Sequence, residues 1–118
     1  MEVLLNADQA IISIEKFTEY ALHPIKGKGK ALAFEQALGY NLSNAEKLMD
    51  NIRTNLNNFE AKLKGDNAFG LKYEVLMNLT GENGKTASVM TSWILEYEVD
   101  YPRLTSAYVK NRRQRNDK

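Results

Sequence analysis

The sequence predicts a single α+β domain, in which N-terminal helices pack on a small antiparallel sheet formed by the C-terminal half. Apolar residues recur at three- and four-residue spacing between residues 31 and 63, which is typical of helices. From Leu71 to Leu79 they alternate with polar residues, which is typical of a half-buried strand. The dipeptide Asn83-Gly84 then signals a hairpin. Helices first and strands afterwards indicate the α+β class.

The N-terminal part predicts one helix and one loop. Residues 15–22 read as a helix that places Phe17, Tyr20 and Ala21 on one face. A proline and two glycines then predict a loop over residues 23–30. The residues before this helix stay ambiguous between helix and strand.

Two further helices follow the loop. Residues 30–39 predict a short helix, with Gly39 where a left-handed C-cap residue belongs. Ser43 and Glu46 have the spacing of a capping box, which predicts the start of a longer amphipathic helix. Its apolar spacing continues to Leu63, and we expect Gly65 to end it.

The C-terminal half predicts three strands. Residues 86–99 form the return strand of the hairpin, and both of its faces are partly apolar, which favours a central position. Pro102 marks a break, and residues 103–109 form the last strand. Strict alternation divides this strand into two faces, with Leu104, Ser106 and Tyr108 on one and Arg103, Thr105, Ala107 and Val109 on the other.

Charge is distributed unevenly along the chain. Its 118 residues include 16 basic and 15 acidic ones. Residues 110–118 hold five of the basic and one of the acidic residues, which leaves 11 basic and 14 acidic residues in the remainder. Because this remainder has a net negative charge, a general polyanion binder is excluded, and any RNA contact has to be local. We expect one domain over residues 1–109 and a disordered basic tail over residues 110–118.

Composition also excludes several classes of site. The chain has no cysteine, which excludes disulfides, thiol catalysis and zinc–thiolate sites. A single histidine and scattered carboxylates do not have metal-ligand spacing, so we expect no metal and no cofactor. No apolar run reaches the roughly 18–20 residues of a membrane helix, and the first residues lack the basic start of a signal peptide. We expect a cytoplasmic protein, or one delivered into a target cell's cytoplasm as part of a larger chain.

Two segments carry candidate chemistry. His23 is the sole histidine, the residue type that changes charge near neutral pH, which suits a general base. The alternative is an exposed histidine before a proline. Residues 27–30, GKGK, can place amides and lysines around a phosphate, although they lack the Walker spacing. A solvated turn is the alternative here.

Polar and aromatic side chains in the strands allow two interpretations. The last strand carries Arg103, Thr105, Ser106 and Tyr108, which are groups that can bind phosphate. Ordinary strand composition explains the same residues. Trp93 is suited either to stacking on a base or to the core.

Three blocks carry a family resemblance: KALAFEQALGY, LTGENGKTASVMTSW and PRLTSAY. In this order and spacing they resemble a small domain found at the C-termini of bacterial polymorphic toxins and of filamentous-haemagglutinin-type contact-dependent inhibition proteins. The domain also occurs as a stand-alone protein. The resemblance covers roughly residues 6–110.

The resemblance implies a ribonuclease. Its helices-then-sheet layout is similar to the fold shared by barnase, EndoU, colicin tRNases and RelE, many of which cleave RNA without a metal. The implied catalytic residues are His23, Lys30, Arg103, Ser106 and Tyr108. Beside these, we expect RNA or phosphate binding by Lys26, Lys28, Thr105, Arg112 and Arg113, of which Arg112 and Arg113 lie beyond the resemblance. A single histidine departs from the two-histidine sites of the EndoU type.

The implied partners are RNA, with tRNA as a candidate, and a cognate immunity protein. The alternative function is a non-catalytic binding or accessory protein, encoded by a phage or mobile element, that uses the same fold to hold a protein or RNA. Fold analogy alone does not decide between the two.

We predict that a chain ending at Val109 binds RNA more weakly but keeps its chemistry. The removed residues are rich in Lys and Arg, and such segments strengthen RNA binding electrostatically. The measurement is tRNA cleavage by the folded truncated protein at low and physiological salt. A folded protein that is inactive at low salt would contradict the prediction.

Overall fold

The chain folds into helices followed by an antiparallel sheet, as predicted, in a computed structural model that describes residues 1–110. The two α-helices are α1, Lys28–Leu38, and α2, Ala45–Asn55. The four strands are β1, Ala61–Asp66; β2, Gly70–Thr80; β3, Thr86–Glu96; and β4, Arg103–Val109. Shorter elements are a π-helical turn at Phe17–Ala21 and 3₁₀ turns at Ala7–Gln9, Leu42–Asn44 and Leu56–Asn58.

The sheet is a meander in the order β1-β2-β3-β4. β2 and β3 pair without interruption from Gly70 opposite Glu96 to Thr80 opposite Thr86, which confirms the predicted hairpin. β3 lies between two partners, as its partly apolar faces predict. β4 is therefore an edge strand, and its open side is where the N-terminal elements reach the sheet.

β1 corrects the sequence prediction. The helix that was expected to continue to Leu63 ends at Asn55, and Ala61–Asp66 pairs antiparallel with β2 instead. The asparagines at residues 55, 57 and 58 are poor helix formers because their side chains compete for backbone hydrogen bonds. The following residues pair with the edge of β2 through backbone hydrogen bonds. The sheet therefore has four strands rather than three.

The capping motif lies two residues earlier than predicted. The Asn41 side chain accepts a hydrogen bond from Ser43 N, and Asn44 Oδ1 accepts one from Asn41 N at 2.8 Å. This reciprocal pair holds the 3₁₀ turn that leads into α2, so neither Ser43 nor Glu46 forms the predicted box.

The two earlier helices differ in how well the sequence predicts them. α1 begins two residues before the predicted start and ends at Gly39, whose φ of 77° confirms the left-handed cap. The helix predicted over residues 15–22 is only the π-helical turn, in which Leu22 N donates to Phe17 O at 2.8 Å. Residues before it form no strand, and a single parallel bridge joins Ile11 to Arg103.

A bulge in β4 corrects the predicted faces of this strand. The pairing steps from Ser92 opposite Ser106 to Trp93 opposite Leu104, which leaves Thr105 as an extra residue. Leu104 and Ala107 consequently both face the helices and are 1% and 3% exposed. The face of the sheet turned away from the helices, the outer face, carries Arg103, Ser106 and Tyr108, because they pair with Ile94, Ser92 and Met90.

One core lies between the helices and the inner face of the sheet. Its largest fully buried side chains include Phe17, Phe34, Leu38, Tyr40 and Trp93. Trp93 is 1% exposed and therefore belongs to the core. Its Nε1 donates to Thr91 Oγ1 at 2.8 Å, and this hydroxyl donates to Val75 O at 2.8 Å. In the described residues, no helix has the length and apolarity needed to cross a membrane.

We predict that Thr91→Val lowers the free energy of unfolding by about 1–3 kcal/mol, because the buried Trp93 N–H loses its acceptor. Thr86→Val is the matched control, since Thr86 is exposed in the same strand. Denaturant unfolding of both variants measures the difference. Equal stabilities of the two variants would contradict the prediction.

Candidate functional site

A groove of about 260 Å³ lies where the π-helical turn and the start of α1 meet β4. Its lining residues include Lys16, Tyr20, Lys30, Thr105, Ser106 and Ala107. We call it the Lys30 groove. It combines two amines with three hydroxyl-bearing side chains, and no carboxylate lines it.

Gly27 sets the position of Lys30. A Cβ on Gly27 would lie 1.7 Å from the Tyr20 carbonyl oxygen, so only glycine allows the chain to pass so close to the π-helical turn. Gly27 N also donates to His23 O at 2.9 Å, which closes the loop before α1. This close passage brings Tyr20 and Lys30 to the same groove.

The Lys30 ammonium lies at the open edge of the sheet. Its Nζ is 5.9 Å from the centroid of the Tyr108 ring, within the range of a cation–π contact. Lys30 belongs to α1, which packs on the inner face of the sheet. The Tyr108 side chain, by contrast, lies on the outer face, since Tyr108 is opposite Met90. Among residues 1–110 Lys30 forms no ion pair, so its charge is available to an anion.

The bulge supplies the other wall of the groove. Thr105 and Ser106 are half-buried neighbours there, and each carries a hydroxyl. Lys110 N donates to Ser88 O, so alternation along the ladder turns the N–H of Ala107 toward the open edge. Amines, hydroxyls and a backbone N–H are donors that suit a phosphate. In the part of the chain that the structure describes, no three histidine, aspartate or glutamate side chains gather as metal ligands.

The structure brings together four of the residues singled out from the sequence. Lys30, Thr105 and Ser106 line the groove, and Tyr108 lies beneath the ammonium of Lys30. The polar part of β4 and the end of the GKGK segment are therefore neighbours, although about 75 residues separate them in sequence.

Other predicted cations lie elsewhere. Arg103 Nη2 bonds Glu96 Oε2 at 2.9 Å, and Lys26 Nζ bonds Glu19 Oε1 at 3.1 Å. Lys28 lines a separate, partly apolar cavity that includes Pro24 and Leu32. Arg112 and Arg113 lie outside the described residues.

His23 does not line the groove, and its contacts are those of a turn residue. Its Nδ1 accepts hydrogen bonds from the backbone N–H groups of Ile25 and Lys26 at 3.2 and 3.1 Å. A ring nitrogen that accepts two such bonds carries no proton. His23 thus stabilises the loop that leads to Gly27.

Sequence reasoning missed two members of the groove. The predicted site does not include Lys16, and the predicted helix places Tyr20 on the same face as the buried Phe17, yet Tyr20 is 58% exposed. The available signal was their four-residue separation, which places both on one side of a helical turn. The π-helical geometry was not visible in the sequence.

We predict opposite effects for two glycines that stand two positions apart. Gly27→Ala lowers the free energy of unfolding by about 3 kcal/mol, because its Cβ would meet the Tyr20 carbonyl. Gly29→Ala raises it by about 0.5 kcal/mol, because the added methyl meets no atom within 4 Å and restricts the unfolded chain. Denaturant unfolding measures both, and equal destabilisation would show that the loop does not pack as described.

Comparison with known proteins places the chain in a family. No curated protein matches it, and no solved structure does. A family model described as a domain of unknown function, DUF6883, matches residues 3–111. The match includes every residue that lines the Lys30 groove. Since it spans nearly the whole sequence, the chain belongs to the DUF6883 family.

Proposed function

We propose that the protein acts on RNA, and that the Lys30 groove binds a phosphodiester and promotes its cleavage without a metal ion. One observation carries the proposal: amines and hydroxyls converge in a groove that no carboxylate lines, in a chain body with more acidic than basic residues. The order of helices followed by an antiparallel sheet is consistent with the fold that the sequence resemblance implies.

Binding relies on charge and hydrogen bonds. Lys16 and Lys30 attract the phosphate, and the hydroxyls of Thr105 and Ser106 donate to its non-bridging oxygens. The groove is partly enclosed, so these interactions are stronger than on an open surface.

Cleavage uses the RNA's own 2′-hydroxyl as the nucleophile. As this oxygen attacks phosphorus, its proton passes to water and negative charge grows on the phosphate oxygens. The Lys30 ammonium stabilises that charge and donates a proton to the departing 5′-oxygen. The products are a 2′,3′-cyclic phosphate and a free 5′-hydroxyl.

A second candidate function is RNA binding without cleavage. It is favoured by the absence, from the lining of the Lys30 groove, of histidine, aspartate and glutamate, the usual general bases. The two candidates share the binding site and differ in whether the backbone is cut. An immunity protein as partner belongs with the toxin form of the first candidate.

We predict that Lys30→Gln slows cleavage of total tRNA about 100-fold, because it removes the cation that meets the developing charge. Lys28→Gln is the matched control: it removes the same charge two residues earlier on α1, from outside the groove. We expect its rate to equal that of the parent. Gel analysis of tRNA incubated with each purified protein in EDTA is the measurement.

Each outcome of this assay has a clear meaning. Cleavage lost only in Lys30→Gln supports the catalytic proposal, and equal rates in both variants contradict it. If the parent protein binds tRNA but leaves it intact, the second candidate is correct. His23→Ala, compared where it remains folded, should cut at the parent rate, because His23 lies outside the groove.

A further inference from the structure

A second groove, of about 640 Å³, lies further along the contact between α1 and β4. We call it the Lys110 groove. Ala33, Gln36 and Ala37 of α1 line one side. Ser88, Val109 and Lys110 lie on the sheet side, and Lys85 of the β2–β3 hairpin also lines the groove. Nothing in the proposed cleavage step uses this groove.

The two grooves are successive parts of one seam. On α1, Lys30, Ala33 and Ala37 follow each other at three- and four-residue spacing and so share one face. Lys30 and Ala37 are about 10 Å apart along the helix. On the sheet side, Ser106 of the first groove and Lys110 of the second are about 13 Å apart. Tyr108 lies between them.

The seam has the charge that a polyanion needs. Lys16, Lys30, Lys85 and Lys110 line the two grooves, and no carboxylate lines either. Within residues 1–110 none of these four lysines forms an ion pair. The cations that are paired, by contrast, are Lys26, Lys47, Lys64 and Arg103, and none of them lines either groove. Other unpaired lysines of the described residues, Lys28, Lys62 and Lys72, lie outside both grooves, so the seam is distinguished by four unpaired lysines with no carboxylate among its lining residues.

The aromatic residues of the seam favour an unpaired strand. Tyr20 is 58% exposed in the Lys30 groove, and Tyr108 is half-buried between the two grooves. Exposed aromatic rings stack on bases that have left a duplex, and small apolar residues such as Ala33 and Ala37 leave room for flat rings. Bases inside a duplex cannot use such surfaces.

We propose that the α1–β4 seam is a continuous binding site for single-stranded RNA. The Lys30 groove holds the phosphodiester that is acted on, and the Lys110 groove holds the neighbouring part of the same strand. This inference rests on the proposal that the protein acts on RNA. It adds that the bound RNA is single-stranded and that a second groove contacts it.

The test is equilibrium binding of a fluorescent 2′-O-methyl oligonucleotide of about eight nucleotides, a typical single-strand site size. This probe has no free 2′-hydroxyl and so cannot be cleaved. The full chain is compared with Lys85→Gln/Lys110→Gln and with the control Lys62→Gln/Lys72→Gln. The control removes two exposed, unpaired lysines from β1 and β2, away from both grooves.

We expect the Lys85/Lys110 variant to lose affinity and to reduce the slope of log K against log salt by about 1.4, because each phosphate contact on a single strand contributes about 0.7. We expect the control to keep the parent slope. A duplex of the same length should bind at least about tenfold more weakly, since its bases cannot stack on Tyr20 and Tyr108.

The outcomes separate this inference from the proposed function. If the Lys85/Lys110 variant and the control lose equal affinity, the seam is not a continuous binding site, although the proposal that the protein binds RNA still stands. Equal affinity for duplex and single strand, or equally tight binding of an acidic polyglutamate peptide, also overturns this inference. If the parent chain binds no oligonucleotide at low salt, the proposal that the protein acts on RNA fails as well.

Discussion

β4 carries one more residue than its partner strand between Leu104 and Ser106, and the candidate site depends on that extra residue. Without the bulge, alternation would place Leu104 and Ser106 on the same face. Either Leu104 would then be lost from the core, or Ser106 would be lost from the groove. With it, Leu104 and Ala107 both pack inward, while Thr105 and Ser106 line the groove at the edge. The bulge thus allows the same short strand to contribute apolar side chains to the core and hydroxyl groups to the groove.

The position of α1 is the second constraint, and a close backbone approach sets it at each end. At its start, Gly27 passes the carbonyl of Tyr20. At its end, a Cβ on Gly81 would lie 2.1 Å from Leu38 O, and Asn83 N donates to the same oxygen at 3.3 Å. The hairpin tip and the π-helical turn therefore hold α1 against the sheet, and the seam between α1 and β4 follows from this placement. The lysines of the seam are surface residues on a well-packed frame.

The sequence predicts the order of elements and much of the site's membership, but not its geometry. Gly39 and Asn83-Gly84 were readable because their turn chemistry is local. The spacing of Leu63 fits a helix, and only pairing with β2, a tertiary interaction, makes it part of a strand. The bulge depends on packing against β3 in the same way. The chemistry of Arg103 suits a phosphate, but the sequence does not show that Arg103 forms an ion pair with Glu96.

The central claim is that the Lys30 groove and its continuation along the seam contact RNA. An amide-resolved NMR titration with an uncleavable single-stranded RNA analogue tests it most directly, because it maps the contact without a mutation. We expect the largest shifts at Lys30, Ser106, Ala107 and Lys110, which line the two grooves. Shifts confined to outer-face residues of β1 and β2 such as Lys62 and Glu74, or no shifts at low salt, would contradict the account.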